Sequence, residues 1–505
     1  MFYLSLQNGS DIRGVALEGI AGQSVNLTEA VCRNIAAAFV SWLSEHCKKS
    51  PSEIRIGIGR DSRLSGPSLV SWVVDAMANE GVHVFDCGMA STPAMFMSTV
   101  TPNFEFDGSI MVTASHLPFN RNGFKFFTRD GGLEKEDVKA ILQQAETPRK
   151  TSAQIGSVES VDFISVYAQQ LVHLIREEVH AQNYEKPLDG FHIVVDAGNG
   201  AGGFFVDKVL QPLGANTSGS QFLDPDGRFP HHIPNPEDQD AMAAISSAVL
   251  AQQADLGIIF DTDVDRAGAV DETGRAINRN RLIAMISAIL LEEFPGTTIV
   301  TDSITSSGLE KFIKSLGGIH HRFKRGYKNV INEAIRLNAN GQDAQLAIET
   351  SGHGALKENY FLDDGAYLVT KLLIKMAKMR EENTKLSSLI ATLEEPAESF
   401  EFRMSITEHD FAKIGERIIS ELEYYAQEQK WHLAEDNYEG IRVRFDQENG
   451  NGWFLLRLSL HDPLMPLNIE SDSIGGCKTI AQMLLPFLKQ YRALDISPLI
   501  EFCAS

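Results

Sequence analysis

Three aspartates alternate with single residues directly after an apolar run. Asp261, Asp263 and Asp265 follow Leu256–Phe260. In an extended backbone, residues two positions apart point to the same side, so these three carboxylates can converge. Carboxylate oxygens are hard ligands that suit Mg²⁺ or Ca²⁺ better than zinc. Three carboxylates leave coordination positions open, which suits a metal ion that also binds a phosphate oxygen.

Two other interpretations of this acidic segment are weaker. A solvated loop is disfavoured because three aspartates directly after a buried strand would repel one another without a cation. An EF-hand loop would place its twelfth residue at Glu272. However, Arg266 stands where that loop needs a glycine, and the preceding segment is typical of a strand instead of a helix.

A serine and a histidine are adjacent in a second candidate loop, residues 113–118. Ser115 and His116 lie there, and Lys125 follows shortly after. Adjacent residues rarely form a nucleophile–base pair, and this segment lacks the GxSxG elbow of hydrolases. Taken alone, the loop is therefore typical of an ordinary polar turn.

Both loops follow short apolar runs that alternate with segments of helical length. The predicted strands of three such rounds are 54–59, 82–85, 108–112, 191–196, 256–260, 298–301 and 346–348, and a helix is predicted at 66–80. Strands and helices in alternation are typical of α/β units with mostly parallel sheets. Ligands of such sheets bind to the loops at the carboxyl ends of the strands, where both candidate loops stand.

Length and changes in composition predict four domains. The 505 residues exceed one ordinary domain. Three α/β domains are predicted at 1–150, 151–276 and 277–396, divided by a polar stretch at 146–156 and a turn at 276–281. An α+β domain is predicted at 397–505, with helices at 411–427 and 480–491 and strands at 441–445 and 453–460.

Charge and cysteine content exclude several classes of partner. A net charge of −22 argues against nucleic acid and anionic membranes, because both demand an excess of Lys and Arg. It leaves room for a small anionic substrate in a local basic pocket. The five cysteines are scattered without CxxC spacing, as expected for reduced thiols. No stretch approaches the ~18 apolar residues of a membrane span or has the form of a signal peptide, so a cytoplasmic location is expected.

Motifs in chain order resemble those of the α-D-phosphohexomutase family, which includes phosphoglucomutases and phosphomannomutases. Residues 113–118 are similar to that family's phosphoserine loop, TASHNP, and residues 261–266 to its metal loop, DGDxDR. Further segments that resemble family motifs are 11–14 (the arginine loop), 59–63 (GRDxR), 195–200, 225–230, 349–353 (the sugar loop, GExSGH), 440–443 and 457–459. The resemblance covers nearly the whole chain.

The resemblance implies four domains around a central cleft, three related α/β domains with mixed or mostly parallel sheets and a smaller α+β domain at the C-terminus. It implies reversible transfer of a phosphoryl group between the 1- and 6-positions of glucose or mannose phosphate. Ser115 would carry that group, and hexose 1,6-bisphosphate would be intermediate and activator. One Mg²⁺ would be held by Ser115 phosphate, Asp261, Asp263 and Asp265.

The resemblance also assigns roles to individual residues. Arg13, Lys125 and Arg266 would stabilise the moving phosphoryl group, and the general acid/base is Lys125, His116 or His353. Glu349 would bind sugar hydroxyls. The remaining predicted substrate-binding residues are Arg60, Lys324, Arg325, Tyr327, Lys328, Ser351, Arg442, Arg457, Ser459 and His461. Of these, Arg457 and Ser459 would bind the non-reacting phosphate.

The chain departs from the family pattern in three loops. Leu117 replaces an asparagine, residues 324–328 replace the usual specificity loop, and Leu460 and His461 replace a small residue and a threonine. The resemblance leaves open a phosphoglucosamine or N-acetylglucosamine-phosphate mutase, although the glucosamine enzymes carry GEQSGH where this chain has Thr350. A non-catalytic sugar-phosphate sensor is favoured by the altered last loop and disfavoured by the complete set of catalytic residues. A monomer and a homodimer are both compatible with the sequence.

Overall fold

Strands and helices alternate through the residues that the computed structural model describes, which are 2–147, 155–459 and 462–504. The strands are β1 (Gln7–Asn8), β2 (Asp11–Val15), β3 (Arg55–Arg60), β4 (His83–Met89), β5 (Gly108–Val112), β6 (Arg121–Thr128), β7 (Gly131–Gly132), β8 (Val158–Ser160), β9 (Ile193–Asp196), β10 (Leu256–Phe260), β11 (Ala267–Asp271), β12 (Ala276–Ile277), β13 (Thr298–Thr301), β14 (Ile319–Arg322), β15 (Ala344–Ile348), β16 (Gly354–Leu356), β17 (Leu362–Asp363), β18 (Glu398–Ser405), β19 (His432–Leu433), β20 (Ile441–Phe445), β21 (Gly452–Leu456) and β22 (Leu464–Ser471). The α-helices are α1 (Glu29–Cys47), α2 (Gly66–Asn79), α3 (Thr92–Met97), α4 (Lys135–Ala145), α5 (Phe163–Val179), α6 (Gln239–Gln252), α7 (Arg279–Glu293), α8 (Ser307–Ser315), α9 (Tyr327–Ala339), α10 (Gly365–Met379), α11 (Phe411–Glu428), α12 (Gly476–Leu488) and α13 (Ser497–Ala504).

The chain divides into two compact units, and the first comprises Met1–Leu282 and Ser351–Ser388. It contains a sheet in the order β1-β2-β6-β5-β3-β4-β8, with β7 beside β6, and a second sheet in the order β12-β11-β10-β9. In the first sheet β5, β3, β4 and β8 are parallel, whereas β6 is antiparallel to β5. In the second, β10 is parallel to β9 and antiparallel to β11. The segment 351–388 adds the hairpin β16–β17 and α10.

Burial explains the apolar runs of this unit. Every residue of β5 and of β10 is buried, as expected for strands covered on both faces. Helix α1 packs closely on β5, because a Cβ at Gly108 would lie 2.9 Å from the Leu43 side chain and 3.1 Å from that of Phe39. Glycine at this position therefore allows the helix to approach the strand.

The second unit comprises Ile283–Thr350 and Leu389–Ser505. Its parallel strands β14, β13 and β15 lie side by side in that order. Its C-terminal part is an antiparallel sheet in the order β18-β22-β21-β20-β19. Helices α11 and α12 bury their apolar side chains in one core with this sheet.

The prediction of mixed α/β architecture with an α+β C-terminal part is confirmed. Four predicted strands, 108–112, 256–260, 298–301 and 441–445, have the observed bounds. The predicted strand 453–460 is too long, since β21 ends at Leu456, and residue 460 lies outside the described residues. The predicted boundary at residue 150 lies outside the described residues. Among the helices described, none is long and apolar enough to cross a membrane.

Candidate active site

The two candidate loops meet in the first unit, at the carboxyl ends of two strands. Ser115 follows β5 and Asp261 follows β10. The Ser115 Oγ donates a hydrogen bond of 2.9 Å to Asp261 Oδ2, and both side chains are buried. Ser115 has a φ of +49°, in the left-handed region that residues with a Cβ adopt only at some cost.

The three aspartates form one buried group of oxygens. Asp261, Asp263 and Asp265 are each 0% exposed, and one oxygen from each lies within 4.8 Å of the others. The Oδ1 atoms of Asp263 and Asp265 have no hydrogen-bond partner among the described residues. Burial, and then the carboxylates of Asp265 and Asp263, raise the pKa of Asp261 well above its usual value. Such a cluster of hard oxygens fits a divalent cation, which would satisfy the unpaired oxygens and offset the repulsion.

A lysine and a threonine complete the surroundings of these carboxylates. Lys125, from β6, is hydrogen-bonded to Asp265 and has its Nζ 3.6 Å from Asp263 Oδ2. Thr92, at the start of α3, donates from Oγ1 to Asp263 Oδ2 at 2.5 Å. Burial alone would raise the pKa of Asp265, but Lys125 beside it holds that pKa below its usual range. Asp265 is therefore an anion in this site.

Arg266 links the metal loop (residues 261–266) to the serine loop (residues 113–118). Its Nη2 donates to Ser115 Oγ at 3.2 Å and to His116 Nδ1 at 2.6 Å. Its Nη1 donates to Asn235 Oδ1 at 3.1 Å, and its Nε lies 3.4 Å from Asp261 Oδ2. The guanidinium is thus buried and held on three sides, with one edge on the serine hydroxyl.

The two histidines of the site differ in their surroundings. Burial, and then the charge of Arg266, lower the pKa of His116 to about 3. His353 lies beside Arg266 through a backbone bridge, and its Nδ1 is 2.5 Å from Asp363 Oδ2. Burial lowers the pKa of His353, but Asp363 and Asp265 outweigh it and raise that pKa above its usual value.

Two further predicted residues of the first unit contact the backbone near the site. Arg13, in β2, donates from Nη1 to the carbonyl oxygen of Thr113 and forms an ion pair of 2.7 Å with Asp11. Arg60, the last residue of β3, donates to its neighbour's carbonyl oxygen at 3.1 Å.

The predicted residues of the second unit form their own group of charges. The backbone N–H of Arg325 donates to Glu439 Oε2 at 3.0 Å, and its Nε lies 3.8 Å from Asp302 Oδ2. Glu349 accepts from the backbone N–H of Gly326 at 2.6 Å. Lys324 is exposed, whereas Tyr327 and Lys328 are half-buried in the first turn of α9.

The two predicted arginines near the C-terminus differ in the hydrogen bonds that their guanidinium groups form. Arg442 donates to the carbonyl oxygens of Ser303 and Thr305 at 2.8 and 3.0 Å, and its guanidinium stacks over Trp453. Arg457 has its Nη1 3.7 Å from Glu439 Oε1, and its Nε has no hydrogen-bond partner among the described residues. Ser459 accepts at Oγ from the N–H of Asp462 at 3.4 Å. His461 lies outside the described residues.

The predicted site residues are thus divided between the two units. The residues of the first unit are Arg13, Arg60, Ser115, His116, Lys125, Asp261, Asp263, Asp265, Arg266, Ser351 and His353, and those of the second are Lys324, Arg325, Tyr327, Lys328, Glu349, Arg442, Arg457 and Ser459. Sequence reasoning missed four contacting residues, Arg63, Thr92, Asn235 and Asp363. Of these, only Arg63 stood in a segment already singled out, residues 59–63.

Comparisons with known proteins identify the family of the chain. The chain matches three models of the phosphoglucomutase/phosphomannomutase family, alpha/beta/alpha domain I at residues 5–152, domain II at 166–274 and domain III at 278–396. It is 31% identical over 450 residues to a phosphomannomutase/phosphoglucomutase of Pseudomonas aeruginosa, which covers 88% of this chain and 89% of that one.

Two further comparisons agree. A phosphoglucomutase of Neisseria gonorrhoeae is 30% identical over 469 residues, which is 92% of this chain and 93% of the relative. The crystal structure of a phosphoglucomutase/phosphomannomutase family protein from Burkholderia thailandensis superposes with a TM-score of 0.78 at 28% identity, over 96% of this chain and 97% of that one. The chain belongs to the phosphoglucomutase/phosphomannomutase family.

Proposed function

We propose that this protein is a hexose-phosphate mutase that carries a phosphoryl group on Ser115. One observation carries the proposal: Ser115 Oγ lies 2.9 Å from Asp261 Oδ2 and 3.2 Å from Arg266 Nη2, beside a buried carboxylate cluster. Catalysis of phosphoryl transfer consists mostly of positioning and charge stabilisation, and this arrangement offers both. The names of the relatives, phosphomannomutase/phosphoglucomutase and phosphoglucomutase, support the same class of reaction.

The reaction is a reversible transfer between the 1- and 6-positions of glucose or mannose phosphate. The P–O bond to Ser115 Oγ breaks as a new P–O bond forms to the free hydroxyl oxygen of the substrate, which gives a hexose 1,6-bisphosphate. That bisphosphate reorients, and its other phosphoryl group returns to Ser115. Added hexose 1,6-bisphosphate would load Ser115 and so act as activator.

The carboxylates of Asp261, Asp263 and Asp265 would hold one Mg²⁺. The unpaired oxygens of Asp263 and Asp265 and the absence of nitrogen or sulfur among these three ligands support a hard cation. When bound, the cation would neutralise charge on the phosphoryl oxygens. Arg266 and Lys125 stabilise the same charge with fixed donors, and Arg13 fixes the loop backbone at Thr113.

Three side chains are candidates for the proton transfer at the sugar hydroxyl: Lys125, His116 and His353. His116 already accepts a hydrogen bond from Arg266 at Nδ1. His353 is oriented by Asp363, the arrangement by which a carboxylate usually fixes a catalytic imidazole.

The other predicted residues would bind the substrate. Glu349 and Ser351 would bind the sugar hydroxyls, and Arg457 and Ser459 the non-reacting phosphate. Further contributions are assigned to Arg60, Lys324, Arg325, Tyr327, Lys328, Arg442 and His461. Glucose and mannose phosphates are the proposed substrates, and glucosamine and N-acetylglucosamine phosphates are the alternatives to exclude.

Replacement of the nucleophile tests the proposal directly. In Ser115→Ala we expect the mutase activity to fall at least about 10³-fold and the single added phosphate to be lost from the intact mass. Ser41→Ala, which removes a hydroxyl bonded within α1, is the matched control and should keep both. Equal activity in Ser115→Ala and wild type would contradict the proposal.

A substrate panel identifies the sugar. Glucose, mannose, glucosamine and N-acetylglucosamine 1-phosphates are each incubated with hexose 1,6-bisphosphate and Mg²⁺, and parallel reactions contain a chelator. Conversion of glucose or mannose 1-phosphate to the 6-phosphate, dependent on Mg²⁺, is the expected result. Binding of some sugar phosphates without turnover of any would favour a sensor instead.

A further inference from the structure

One buried arginine donates four hydrogen bonds to the backbone of residues 115–121. Arg63 lies between β3 and α2 and is 0% exposed. Its Nη1 donates to the carbonyl oxygens of Pro118 and Arg121, each at 2.9 Å. Its Nη2 donates to the carbonyl oxygen of Leu117 at 2.5 Å and also to that of Ser115. All four acceptors fall within residues 115–121.

The guanidinium of Arg63 is enclosed as well as bonded. Asp61 accepts from the backbone N–H of Arg63 at 2.9 Å, and its Oδ2 lies 3.5 Å from the Arg63 Nε. The ring of Phe229 covers the guanidinium at 5.3 Å. The backbone at Gly227 also packs closely here, since a Cβ on it would lie 2.7 Å from the Cα of Arg63. Arg63 therefore has little freedom to move away from the loop.

The backbone that Arg63 holds determines where the serine hydroxyl points. Ser115 has a φ of +49°, and its N–H donates to Thr113 Oγ1 at 2.9 Å while its carbonyl oxygen accepts from Arg63. With the backbone fixed in this conformation, the Oγ reaches Asp261 and Arg266. A residue with a Cβ keeps a left-handed backbone conformation only where surrounding contacts enforce it, and the hydrogen bond from Arg63 is such a contact.

We propose that Arg63 is a positioning residue for phosphoryl transfer, which fastens residues 115–121 so that Ser115 Oγ stays on the carboxylate cluster. The inference rests on the proposed function. This positioning role requires an arginine, because one planar guanidinium group can donate to several acceptors in fixed directions. A lysine keeps the charge but offers a single nitrogen, so it cannot reach the same four carbonyl oxygens.

The test compares Arg63→Lys with wild type in two measurements, steady-state kinetics and the rate at which hexose 1,6-bisphosphate loads Ser115 with phosphate. We expect kcat and the loading rate to fall about 100-fold, the loss that a displacement of about 1 Å can cause, while KM changes less than about threefold. Arg55→Lys is the matched control, because Arg55 is a half-buried arginine at the other end of β3 that donates to the Phe104 carbonyl oxygen at 2.6 Å. It should leave kcat and KM unchanged.

The outcomes separate the inference from the proposed function. If wild type neither loads phosphate nor turns over any hexose phosphate, the proposed function fails and the inference fails with it. If wild type is active and Arg63→Lys keeps its kcat, or loses activity through KM alone, the inference alone is overturned.

A second variant decides the case in which Arg63→Lys is unfolded at the assay temperature. Asp61→Asn keeps the size of the side chain and removes the charge beside the Arg63 Nε. We expect about a tenfold lower kcat with an unchanged KM, and an unchanged kcat would overturn the inference. If thermal unfolding shows that neither variant folds, Arg63 serves the fold and the inference is overturned.

Discussion

The two histidines beside Arg266 differ in the charge they can carry. His116 accepts a hydrogen bond from Arg266, and its pKa of about 3 keeps it neutral near pH 7. His353 faces Asp363, and the two carboxylates near it raise its pKa although burial opposes them. His353 is therefore the histidine of this site that can hold a proton and give it to an oxygen.

Asp363→Asn tests this assignment. A neutral amide removes the carboxylate that raises the pKa of His353, so that pKa falls. If His353 donates the proton, the alkaline limb of the kcat–pH profile should move down by about one pH unit, and kcat at the optimum should fall about tenfold. The measurement is kcat between about pH 5.5 and pH 9.

The matched control is Asp271→Asn, which changes a buried carboxylate at the far end of β11, paired with Arg281. Its profile should keep the shape of the wild-type profile. A profile of Asp363→Asn that superimposes on wild type would assign the proton to Lys125 or His116 instead.

Residues whose role depends on local spacing could be predicted from the sequence. The alternation of Asp261, Asp263 and Asp265 after an apolar run sufficed to predict that their carboxylates converge, and they do. Arg63 and Asn235 could not be assigned in this way, since each contacts residues 31 to 58 positions away through backbone or side-chain hydrogen bonds. Only the folded chain brings such partners together.

At the scale of elements, the start of α10 supports the metal loop. The Gly365 N–H donates to the Val264 carbonyl oxygen at 3.1 Å, and a Cβ at Gly365 would lie 2.6 Å from the backbone carbon of Arg266. Val264 has a φ of +67°, which is unfavourable for a β-branched residue. Val264 lies between two of the metal-loop aspartates. The contacts with α10 therefore help to fix the positions of their carboxylates.

Asp364, the N-cap of α10, should make stability depend on pH. It accepts from the Tyr367 N–H at 2.9 Å and from the Tyr167 hydroxyl at 2.7 Å, and burial raises its pKa to about 6. In an unfolded chain that pKa is about 3.9. The folded state binds the proton more tightly, so the stability from this group is fully present below about pH 4 and is lost as the pH rises through about 6.

Asp364→Asn removes this titration. We expect the difference in unfolding free energy, wild type minus variant, to fall by roughly 3 kcal/mol between about pH 4 and pH 7. The measurement is denaturant unfolding at several pH values. Asp238→Asn is the control, because Asp238 caps α6 by a bond of 3.0 Å to the Ala241 N–H but is partly exposed. A difference for Asp364→Asn that is independent of pH would contradict the prediction.

The bounds of several strands were predicted closely, but the end of β21 was not. The run at β10 is apolar throughout and is followed by Asp261, and the run at β5, which contains Ser109, is followed by Thr113. The end of β21 depends on β22, since Leu456 is the last residue of β21 to pair with that strand, opposite Leu467. The alternation of polar and apolar residues continues past Leu456 with Arg457, Leu458 and Ser459, which explains why the predicted strand was too long.

At the scale of the whole molecule, the net charge is negative although the candidate anion-binding side chains are cations. The chain carries −22, yet the candidate anion-binding groups of each unit are arginines and lysines. Several of them stand next to carboxylates, such as Lys125 with Asp265 and Arg457 with Glu439. Those carboxylates hold the cations in place, so recognition of an anionic substrate is a property of the sites and not of the overall field.

The four predicted domains remain a proposal about how the chain is divided. The two compact units group the chain differently, because residues 351–388 of the third predicted domain belong to the first unit. The proposed boundary near residue 396 has the strongest support. One apolar core draws all its buried residues from positions between Phe402 and Leu499.

We therefore expect residues 397–505, produced alone, to fold. Trp431 lies in this core against Tyr425 and Phe454, at ring distances of 5.4 and 5.9 Å, and reports on tertiary packing. A cooperative unfolding transition with a free energy of about 5 kcal/mol or more should accompany the change in tryptophan fluorescence. The contacts of Arg442 that the fragment lacks are polar ones, to the carbonyl oxygens of Ser303 and Thr305, which water can replace.

A fragment that begins at residue 407 is the matched control. It lacks β18, which pairs with β22 over eight residues and contributes Phe402 and Met404 to the core. Loss of a full strand and of three buried side chains, those two and Ile406, exposes apolar surface worth several kcal/mol, comparable with the whole stability of a domain this size. The shorter fragment should therefore show no cooperative transition. If the fragment 397–505 also lacked one, the last domain would depend on residues before 397, and the proposed boundary would be wrong.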